Sequence, residues 1–265
     1  MNQEGLIPLL LHMEGCATKE EMNANVAATI ERGYVRFNEY LGRFSGEIAI
    51  VGSAPSLERT YKDLKGDVMA INHSLKFLLE KDVIPKFAMF WDASQLVSEF
   101  AVPHPDITYL VGARCHPTVF EKLKDCKTIV WHAGGDHNIM EYLFEHKIDE
   151  PMINGGSAGV TRALYLGFAL GYRNFGIYGA DSSYSDDGRT HVNGSLVPEK
   201  DFMISAGSEN PVWFRTTPEM CGQIEEYKLI YPLFNQLGCK VDVYGDGLLS
   251  HIHKKLVGLA ANSTT

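Results

Sequence analysis

Two turns of small residues, far apart in the sequence, carry the residue types that bind phosphate. The first, Gly52-Ser53-Ala54, follows a short apolar run typical of a buried parallel strand, and Pro55 and Ser56 begin a predicted helix. Because small side chains leave backbone amides accessible where a helix begins, phosphate is the expected ligand. A tight turn that binds no ligand is the alternative.

This first turn differs from the two commonest phosphate-binding motifs. It has no Gly-Lys-Ser or Gly-Lys-Thr ending, which excludes a P-loop. Ala54 and Leu57 stand where a dinucleotide fingerprint has its second and third glycines. Any nucleotide would therefore be bound by another variant of the strand-turn-helix arrangement.

The second turn, Asn154-Gly155-Gly156-Ser157-Ala158-Gly159, also leads into a predicted helix and so forms a second possible anion site. Two such turns in one sheet could hold a single phosphorylated compound between them. Arg162 lies one turn into that helix and could neutralise a charged ligand. We predict instead that Arg162 is a solvated surface residue.

An acidic and an imidazole side chain near one strand end are candidates for proton transfer. Asp181 follows a predicted strand and could position a hydroxyl group, bind Mg²⁺ or act as a general base. His191 is a candidate base near neutral pH, with a solvated loop histidine as the alternative. Asp186 and Asp187 lie between them, but their spacing matches no calcium loop.

Polar residues also end two other predicted strands. Asn72 could bond a base or ribose, or it could form an Asx turn or cap a helix. Asp92 follows an apolar strand, and a buried carboxylate there needs a backbone amide, a cation or a ligand hydroxyl as its partner. His251 and His253 are predicted to lie at the surface.

The elements that must position these residues alternate between strands and helices. The predicted strands are residues 48–51, 67–72, 87–92, 107–111, 127–132, 175–180 and 240–244. The predicted helices are residues 19–40, 73–81, 158–170 and 224–237. This alternation predicts an α/β fold with a Rossmann-like, mainly parallel sheet and flanking helices. Ligands of such sheets bind outside the carboxyl ends of the strands.

The same pattern divides the chain. Residues 1–44 are predicted to be a helical extension packing on the core, with an apolar stripe that includes Met22, Val26 and Ile30. Residues 45–265 are predicted to be one Rossmann-like nucleotide-binding domain. Within it, residues 182–218 are rich in Gly, Ser, Asp and Pro and are predicted to be an irregular, lid-like loop.

Composition excludes some classes of partner. The chain has 265 residues, 45% of them hydrophobic, and a formal net charge of −9, which argues against duplex nucleic acid or an anionic membrane as the main partner. The five cysteines form no CxxC pair, which favours reduced thiols in the cytoplasm. The apolar run at residues 6–13 is too short for a membrane span. A homo-oligomer is compatible with the sequence.

Three motifs, in this order, resemble those of the MptE-like superfamily. They are Gly52-Ser53-Ala54-Pro55-Ser56-Leu57, Asn154-Gly155-Gly156-Ser157-Ala158-Gly159 and Ile177-Tyr178-Gly179-Ala180-Asp181-Ser182-Ser183-Tyr184. That group includes archaeal 6-hydroxymethylpterin diphosphokinases and flagellin-modifying motility accessory factors. The chain is also similar to bacterial sialyltransferases that use CMP-sialic acid. The resemblance extends from about Gly46 to His253.

The resemblance implies a Rossmann-like transferase whose turns line a nucleotide. It places Asp181 and Tyr184 near the transferred group, and the segment that contains Gly245 at the closing side of the nucleotide pocket. With the strand-end residues added, the predicted nucleotide-binding set is Gly52, Ser53, Ala54, Ser56, Asn72, Asp92, Asn154, Gly155, Gly156, Ser157 and Gly245.

The chain departs from both relatives. The sialyltransferases have a catalytic histidine before the last long helix, where residues 213–218 here contain none, so either His191 substitutes for it or the chemistry differs. The Gly-Gly-Phe-Thr-Asp-Gly-Asp turn of the pterin enzymes is also absent. The absence of that turn makes the match closer to the bacterial and phage members of the superfamily. We predict a glycosyltransferase that uses a nucleotide-activated donor and an unidentified acceptor, with Asp181 or His191 as base and no required cofactor.

Two other functions remain open. In a pterin diphosphokinase, Mg²⁺ bound by Asp92 or Asp181 would bridge the phosphates of ATP. In a non-catalytic nucleotide-binding protein, the segment at residues 182–218 would signal to a partner.

Overall fold

A parallel sheet with helices on both faces forms the centre of the molecule. The computed structural model describes residues 17–134, 137–146, 148–192, 194, 200–207 and 210–262. Its strands are β1 Val35–Arg36, β2 Glu47–Val51, β3 Asp67–Ile71, β4 Phe87–Phe90, β5 Thr108–Gly112, β6 Lys127–Ala133, β7 Met152–Ile153, β8 Asn174–Tyr178, β9 Phe202–Ala206, β10 Val212–Thr216 and β11 Lys240–Val243. Its α-helices are α1 Lys19–Arg32, α2 Leu57–Thr60, α3 Ser74–Glu80, α4 Pro117–Lys122, α5 His137–Glu145, α6 Gly159–Leu170, α7 Pro218–Gln236 and α8 Leu248–Asn262. Short 3₁₀ helices span Phe37–Tyr40, Tyr61–Asp63 and Gln95–Phe100.

Within these residues the strand order is β1-β6-β5-β4-β3-β2-β8-β11, with β7 added beside β6, and every pair in this sheet is parallel. The chain therefore builds outward from β2 in one direction and, after α6, outward through β8 in the other. The point where the direction changes, between β2 and β8, is where open α/β sheets place their ligands. This arrangement confirms the predicted fold class.

Both faces of the sheet are buried because its strands are apolar at successive positions. Ile48, Ala49, Ile50 and Val51 are all fully buried. Side chains on one face pack with those of α6, α7 and α8, and side chains on the other face pack with those of α1, α3 and α4. A strand that is covered on both sides needs apolar residues on both sides, which explains the unbroken apolar runs.

The amino-terminal extension is helical over a shorter range than predicted. α1 ends at Arg32 because Gly33 follows with φ +73°, a conformation that suits glycine. The next residues, Val35 and Arg36, pair with Ile129 and Val130 as an edge strand. The prediction of one helix to residue 40 is therefore wrong beyond Arg32.

α1 lies over the carboxyl ends of two strands. The Asn25 side chain donates to the carbonyls of Ala93 and Arg114, at 3.3 and 3.0 Å. The Thr29 hydroxyl donates to the carbonyl of Ala113 at 3.0 Å. Val26, on the predicted apolar stripe, is fully buried beside them.

The segment at residues 182–218 contains regular structure where an irregular loop was predicted. β9 and β10 form an antiparallel hairpin in which Ser205 opposes Trp213. The Tyr184 amide donates to the Arg215 carbonyl at 2.8 Å, and the Thr216 hydroxyl donates to the Ser182 carbonyl at 3.0 Å. These bonds attach the hairpin to the strand end that follows β8.

The last helix, α8, was not predicted. It carries His251 and His253, and the prediction that both lie at the surface is wrong for His253, which is buried with Nδ1 2.8 Å from the Tyr227 hydroxyl. The apolar run at residues 6–13, predicted to be too short for a membrane span, lies outside the described residues. In the part of the chain that the structure describes, no helix has both the length and the apolar character needed to cross a membrane.

Candidate functional site

A cavity of about 300 Å³ opens at the carboxyl ends of β2, β3 and β8. The turns after these strands form its floor, and the first turn of α6, the first turns of α7 and the beginning of α8 form its walls. The cavity therefore lies at the change of direction between β2 and β8. Of the residues predicted for the site, Gly52, Ser53, Ala54, Asn72, Asp181 and His191 line it.

The floor depends on close backbone contact between Gly52 and Gly179. A Cβ atom on Gly52 would overlap the Gly179 carbonyl oxygen, and Gly179, at φ +57°, lies equally close to the Gly52 carbonyl. The Gly52 amide donates to the Tyr178 carbonyl at 2.9 Å, and the Ala54 amide donates to the Gly179 carbonyl at 2.8 Å. The two turns therefore form one hydrogen-bonded unit.

These bonds correct the expectation that the amides of the first turn lie open to an anion. Besides those of Gly52 and Ala54, the Ser56 amide is also occupied, since it donates to Asp181 Oδ2 at 3.0 Å. The helix that follows, α2, is only four residues long. The turn shapes the cavity, but a carboxylate of the protein already occupies the position where a phosphate was expected.

Asp181 joins three parts of the site. Its carboxylate bonds the Ser56 amide, its carbonyl accepts the Leu249 amide at 3.0 Å, and Gly247 packs directly against it. Burial raises the pKa of Asp181, while the hydrogen bonds from Ser56 act in the opposite direction. Asp181 thus lines the cavity and also connects the first turn to α8.

The second turn is closed in a similar way. The Ser157 amide donates to both carboxylate oxygens of Glu226, at 2.8 and 2.9 Å. Residues 158–161 line the cavity, whereas Asn154, Gly155, Gly156 and Ser157 are not among its lining residues. The predicted turn, which runs on to Ala158 and Gly159, therefore reaches the cavity at its helical end, and the anion site there stays a prediction.

Arg162 is buried, contrary to the prediction of a surface position. Its guanidinium donates to the carbonyls of Gly134, Ile153 and Gly156, each at 3.0 Å. It also lies 4.6 Å from the ring centroid of Trp91. These hydrogen bonds pair carbonyl groups around the second turn, so the Arg162 guanidinium stabilises the backbone conformation of the turn from its buried side.

Two buried polar atoms at the end of β3 have no hydrogen-bond partner among the described residues. They are Asn72 Oδ1 and His73 Nε2, and both residues line the cavity. Asn72 has φ +47°, which is uncommon for a residue other than glycine. Because buried polar atoms are nearly always bonded, and because strained residues concentrate at functional sites, this pair points to a ligand.

His191 faces His73 across the cavity, with ring centroids 5.2 Å apart. The neighbouring Val192 amide donates to the Ser53 carbonyl at 2.8 Å, and His191 Nδ1 lies 3.0 Å from the Thr190 hydroxyl. Burial and the nearby His191 lower the pKa of His73 to about 4. Burial also lowers the pKa of His191, so both rings are neutral near pH 7.

Besides the four residues of the second turn, four more predicted residues lie away from the cavity lining. Asp92 Oδ1 accepts the Ser94 amide at 2.9 Å, so a backbone amide provides one partner for its carboxylate. The Tyr184 ring stacks with the Arg215 guanidinium, 4.5 Å from the ring centroid. Ser56 is buried behind the first turn, and Gly245 packs against its side chain.

Several lining residues were missed because they belong to the loop after β8, to α7 and to the residue that caps it. They are Thr190, Thr217, Glu219, Met220, Gln223 and Tyr227. Most of them lie far in sequence from any strand end, since the packing of α7 brings them to the site. Among the described residues, no group of three or more His, Cys, Asp or Glu side chains is arranged to hold a metal ion.

The family model described as 6-hydroxymethylpterin diphosphokinase MptE-like matches residues 22–187. This match contains β1 to β8 and the turn with Asp181, so it includes most of the cavity floor. No curated protein matches the chain.

Solved structures share the fold. The chain is similar to the MAf glycosyltransferase from Magnetospirillum magneticum AMB-1, with a TM-score of 0.62 and 14% identity over 89% of this chain and 38% of that one. The chain thus spans well under half of that protein. A weaker similarity, with a TM-score of 0.40 and 14% identity, is to the sialyltransferase CstII from Campylobacter jejuni in complex with cytidine-5'-monophosphate, covering 77% of this chain and 82% of that one.

Proposed function

This chain belongs to the 6-hydroxymethylpterin diphosphokinase MptE-like family, and from that premise we propose that it is a transferase that uses a nucleotide-activated sugar as donor. The donor nucleotide binds in the cavity between the ends of β2, β3 and β8. The fold shared with a glycosyltransferase supports this class of reaction.

One observation carries the proposal. Asn72 Oδ1 and His73 Nε2 are buried at the end of β3, next to the strand at which the order changes direction, and neither has a partner in the described protein. Leaving a buried donor or acceptor unpaired costs about 1–3 kcal/mol, so a ligand that bonds both atoms gains that energy back. The cavity volume of about 300 Å³ lies at the lower end of the range of small-molecule sites.

His191 is the best-placed base for the transfer. Its lowered pKa keeps the imidazole unprotonated near pH 7, and its ring lies at the cavity wall. In the reaction, an acceptor hydroxyl oxygen bonds to the anomeric carbon and the bond between that carbon and the phosphate oxygen breaks. The electron pair of that bond goes to the phosphate, and the hydroxyl proton goes to His191.

Asp181 is a weaker candidate for the same role. Its carboxylate already accepts the Ser56 amide, so any proton transfer to it competes with a bond that holds the first turn. We therefore assign Asp181 the role of holding the cavity floor in place and assign the base to His191.

The second candidate function is the pyrophosphoryl transfer named in the family description, which needs ATP and Mg²⁺. Asp181 lines the cavity and Asp92 does not, so the two acids considered for Mg²⁺ do not both face it. The third candidate, nucleotide binding without turnover, predicts stabilisation by a ligand that is never consumed.

A thermal-shift panel separates these functions. We expect CMP or UDP to stabilise the protein without added metal, by about 2.7 kcal/mol at a hundredfold excess over Kd. Stabilisation only by ATP with Mg²⁺, or by 6-hydroxymethylpterin, would favour the diphosphokinase.

Turnover is then measured with a nucleotide sugar whose nucleotide stabilises the protein. We expect His191→Gln to retain nucleotide binding and to lower kcat by about a hundredfold or more. His104→Gln, outside the cavity, is the matched control and should leave both quantities unchanged. If the wild-type protein binds the nucleotide sugar but never cleaves it to free nucleotide, the third candidate function, binding without turnover, is correct.

A further inference from the structure

The cavity contains no obvious cation for a phosphate. None of the described residues that line it is a lysine or an arginine, and its carboxylates, Asp181 and Glu219, would repel an anion. Phosphate sites in proteins ordinarily use arginine, lysine or free helix amides. The positive charge for a phosphorylated donor must therefore come from elsewhere.

Two of the amides expected to bind an anion are already occupied. Asp181 already bonds the Ser56 amide, and Glu226 already bonds the Ser157 amide. At each of the two predicted turns, a carboxylate of the protein itself thus occupies one amide. Of the lining groups that can carry positive charge, the two imidazoles remain.

The imidazoles are arranged so that one can be charged while the other stays neutral. Their centroids lie 5.2 Å apart, a distance at which two positive charges repel each other strongly. His191 Nδ1 lies 3.0 Å from the Thr190 hydroxyl, whereas His73 Nε2 is buried and has no partner among the described residues. The Phe100 ring, 3.4 Å from that of His73 between centroids, fixes the orientation of His73.

We propose that His73 is the phosphate-binding residue of this site, that it takes up one proton when a phosphorylated ligand binds, and that it returns the proton to the leaving phosphate oxygen. This inference rests on the proposed function only for the last step. Binding draws one proton from solvent onto His73. During transfer, the bond between the anomeric carbon and the phosphate oxygen breaks, the oxygen keeps the electron pair, and His73 donates its proton to that oxygen. His191 receives the acceptor proton and releases it to solvent, so protons balance.

The resting state of the pair agrees with this role. Burial first, and His191 second, lower the pKa of His73 to about 4 in the free protein. The titratable groups that share the cavity with His73 are His191 from the loop after β8, Asp181 from the end of β8, and Glu219 and Tyr227 from α7. A bound phosphate adds negative charge beside His73 and so raises its pKa, whereas a neutral nucleoside does not.

The test is a pH titration of the histidine Cε1–H resonances by NMR in the wild-type protein, with inorganic phosphate, CMP and cytidine as probes. His73→Gln and His73→Asn identify the His73 resonance, and His104→Gln is the matched control. We expect saturating phosphate or CMP to raise the pKa of His73 by at least two units and cytidine to leave it unchanged. The pKa values are measured on the wild-type protein, and the variants serve only to assign the resonance, for which one folded variant is enough.

Binding measurements complete the test. We expect His73→Gln to weaken CMP binding at least tenfold at pH 6 and to abolish proton uptake, measured by calorimetry in buffers of different ionisation enthalpy. The proposal is overturned if the pKa of His73 is the same with and without phosphate, or if proton uptake persists in His73→Gln. If phosphate titrates His73 but no nucleotide sugar is consumed, the transferase assignment fails and the phosphate-binding role stands. If a nucleotide sugar is consumed while His73 stays neutral, the transferase assignment stands and the phosphate-binding role of His73 fails.

Discussion

The two small-residue turns have nearly the same sequence character, yet they differ in how they are closed. At the first turn the closing carboxylate is Asp181, which is buried and comes from the neighbouring strand end. At the second turn it is Glu226, which is partly exposed and comes from a distant helix. The first turn is therefore part of the core at the cavity floor. The second turn is peripheral, and water can replace the Glu226 carboxylate at its Ser157 amide.

This difference shows that a strand-turn-helix sequence of small residues does not by itself define a binding site. Gly52 and Gly179 are small because their backbones touch each other, and Gly156 is small because Glu226 and Thr161 lie against it. In both turns, close packing within the protein explains the glycines. The case for a ligand instead depends on Asn72 and His73, whose buried polar atoms have no partner in the described protein.

The largest expected effect is on the first turn. Gly52→Ala places a methyl group onto the Gly179 carbonyl, and we expect a loss of about 3 kcal/mol in the free energy of unfolding. Urea denaturation measures it. Gly222→Ala is the control, because Gly222 lies within α7 with open space around its Cβ position, and it should stabilise the protein by about 0.5–1 kcal/mol. Equal effects of the two variants would refute the close contact.

The next effect compares the two carboxylates directly. Asp181→Ala leaves the buried Ser56 amide without its partner, and we expect a loss of about 2 kcal/mol. Glu226→Ala exposes the Ser157 amide to water, so the loss should be under about 1 kcal/mol. The same denaturation experiment ranks them. A larger loss for Glu226→Ala would reverse our assignment of core and peripheral turns.

Low pH should lower the free energy of unfolding, because the neutral His73 is buried beside the first turn. The folded pKa of His73 is about 4, below the ordinary value of 6.5, so between these values the unfolded chain binds more protons. Stability is therefore complete above pH 6.5 and falls as pH decreases toward 4, and His191 contributes in the same direction. Denaturation at a series of pH values should show a smaller decrease in His73→Gln than in the wild type. If stability decreases equally in His73→Gln and in the wild type, titratable groups other than His73 cause the decrease.

The smallest effect concerns the second turn. Glu226→Gln keeps an oxygen to accept the Ser157 amide and removes only the charge, so stability should change by less than about 0.5 kcal/mol. Nucleotide affinity should stay within about twofold of the wild-type value, because Ser157 does not line the cavity. Isothermal titration with CMP measures the affinity. A tenfold change in either direction would show that Glu226 and the second turn take part in nucleotide binding.

The sequence predicted the elements whose patterns are strong and left out those made by long-range contacts. The apolar runs of β2, β3, β4, β5, β6, β8 and β11 are long enough to recognise, and the strand-end rule then found Asn72, Asp181 and the first turn. β1 and β7 have two residues each, too few for any periodicity, and exist because β6 offers them an edge.

The site was harder to predict than the sheet. His73 and Asn72 are adjacent in the sequence, but only the structure shows that their polar atoms are buried without partners. Arg162 was expected in solvent because charged residues usually are, and its burial depends on three carbonyls that the fold brings together. Glu226 and Gln223 reach the region from α7, a helix that the sequence predicted over residues 224–237 but whose packing at the site it did not indicate.

The most direct test of the central claim is a crystal structure of the protein with the nucleotide that stabilises it best in the thermal-shift panel. The account predicts the nucleotide in the cavity between the ends of β2, β3 and β8, with a phosphate oxygen within hydrogen-bond distance of His73 Nε2 and with Asp181 still bonded to the Ser56 amide. A nucleotide bound at the Ser157 turn in place of Glu226, or anywhere outside this cavity, would contradict it.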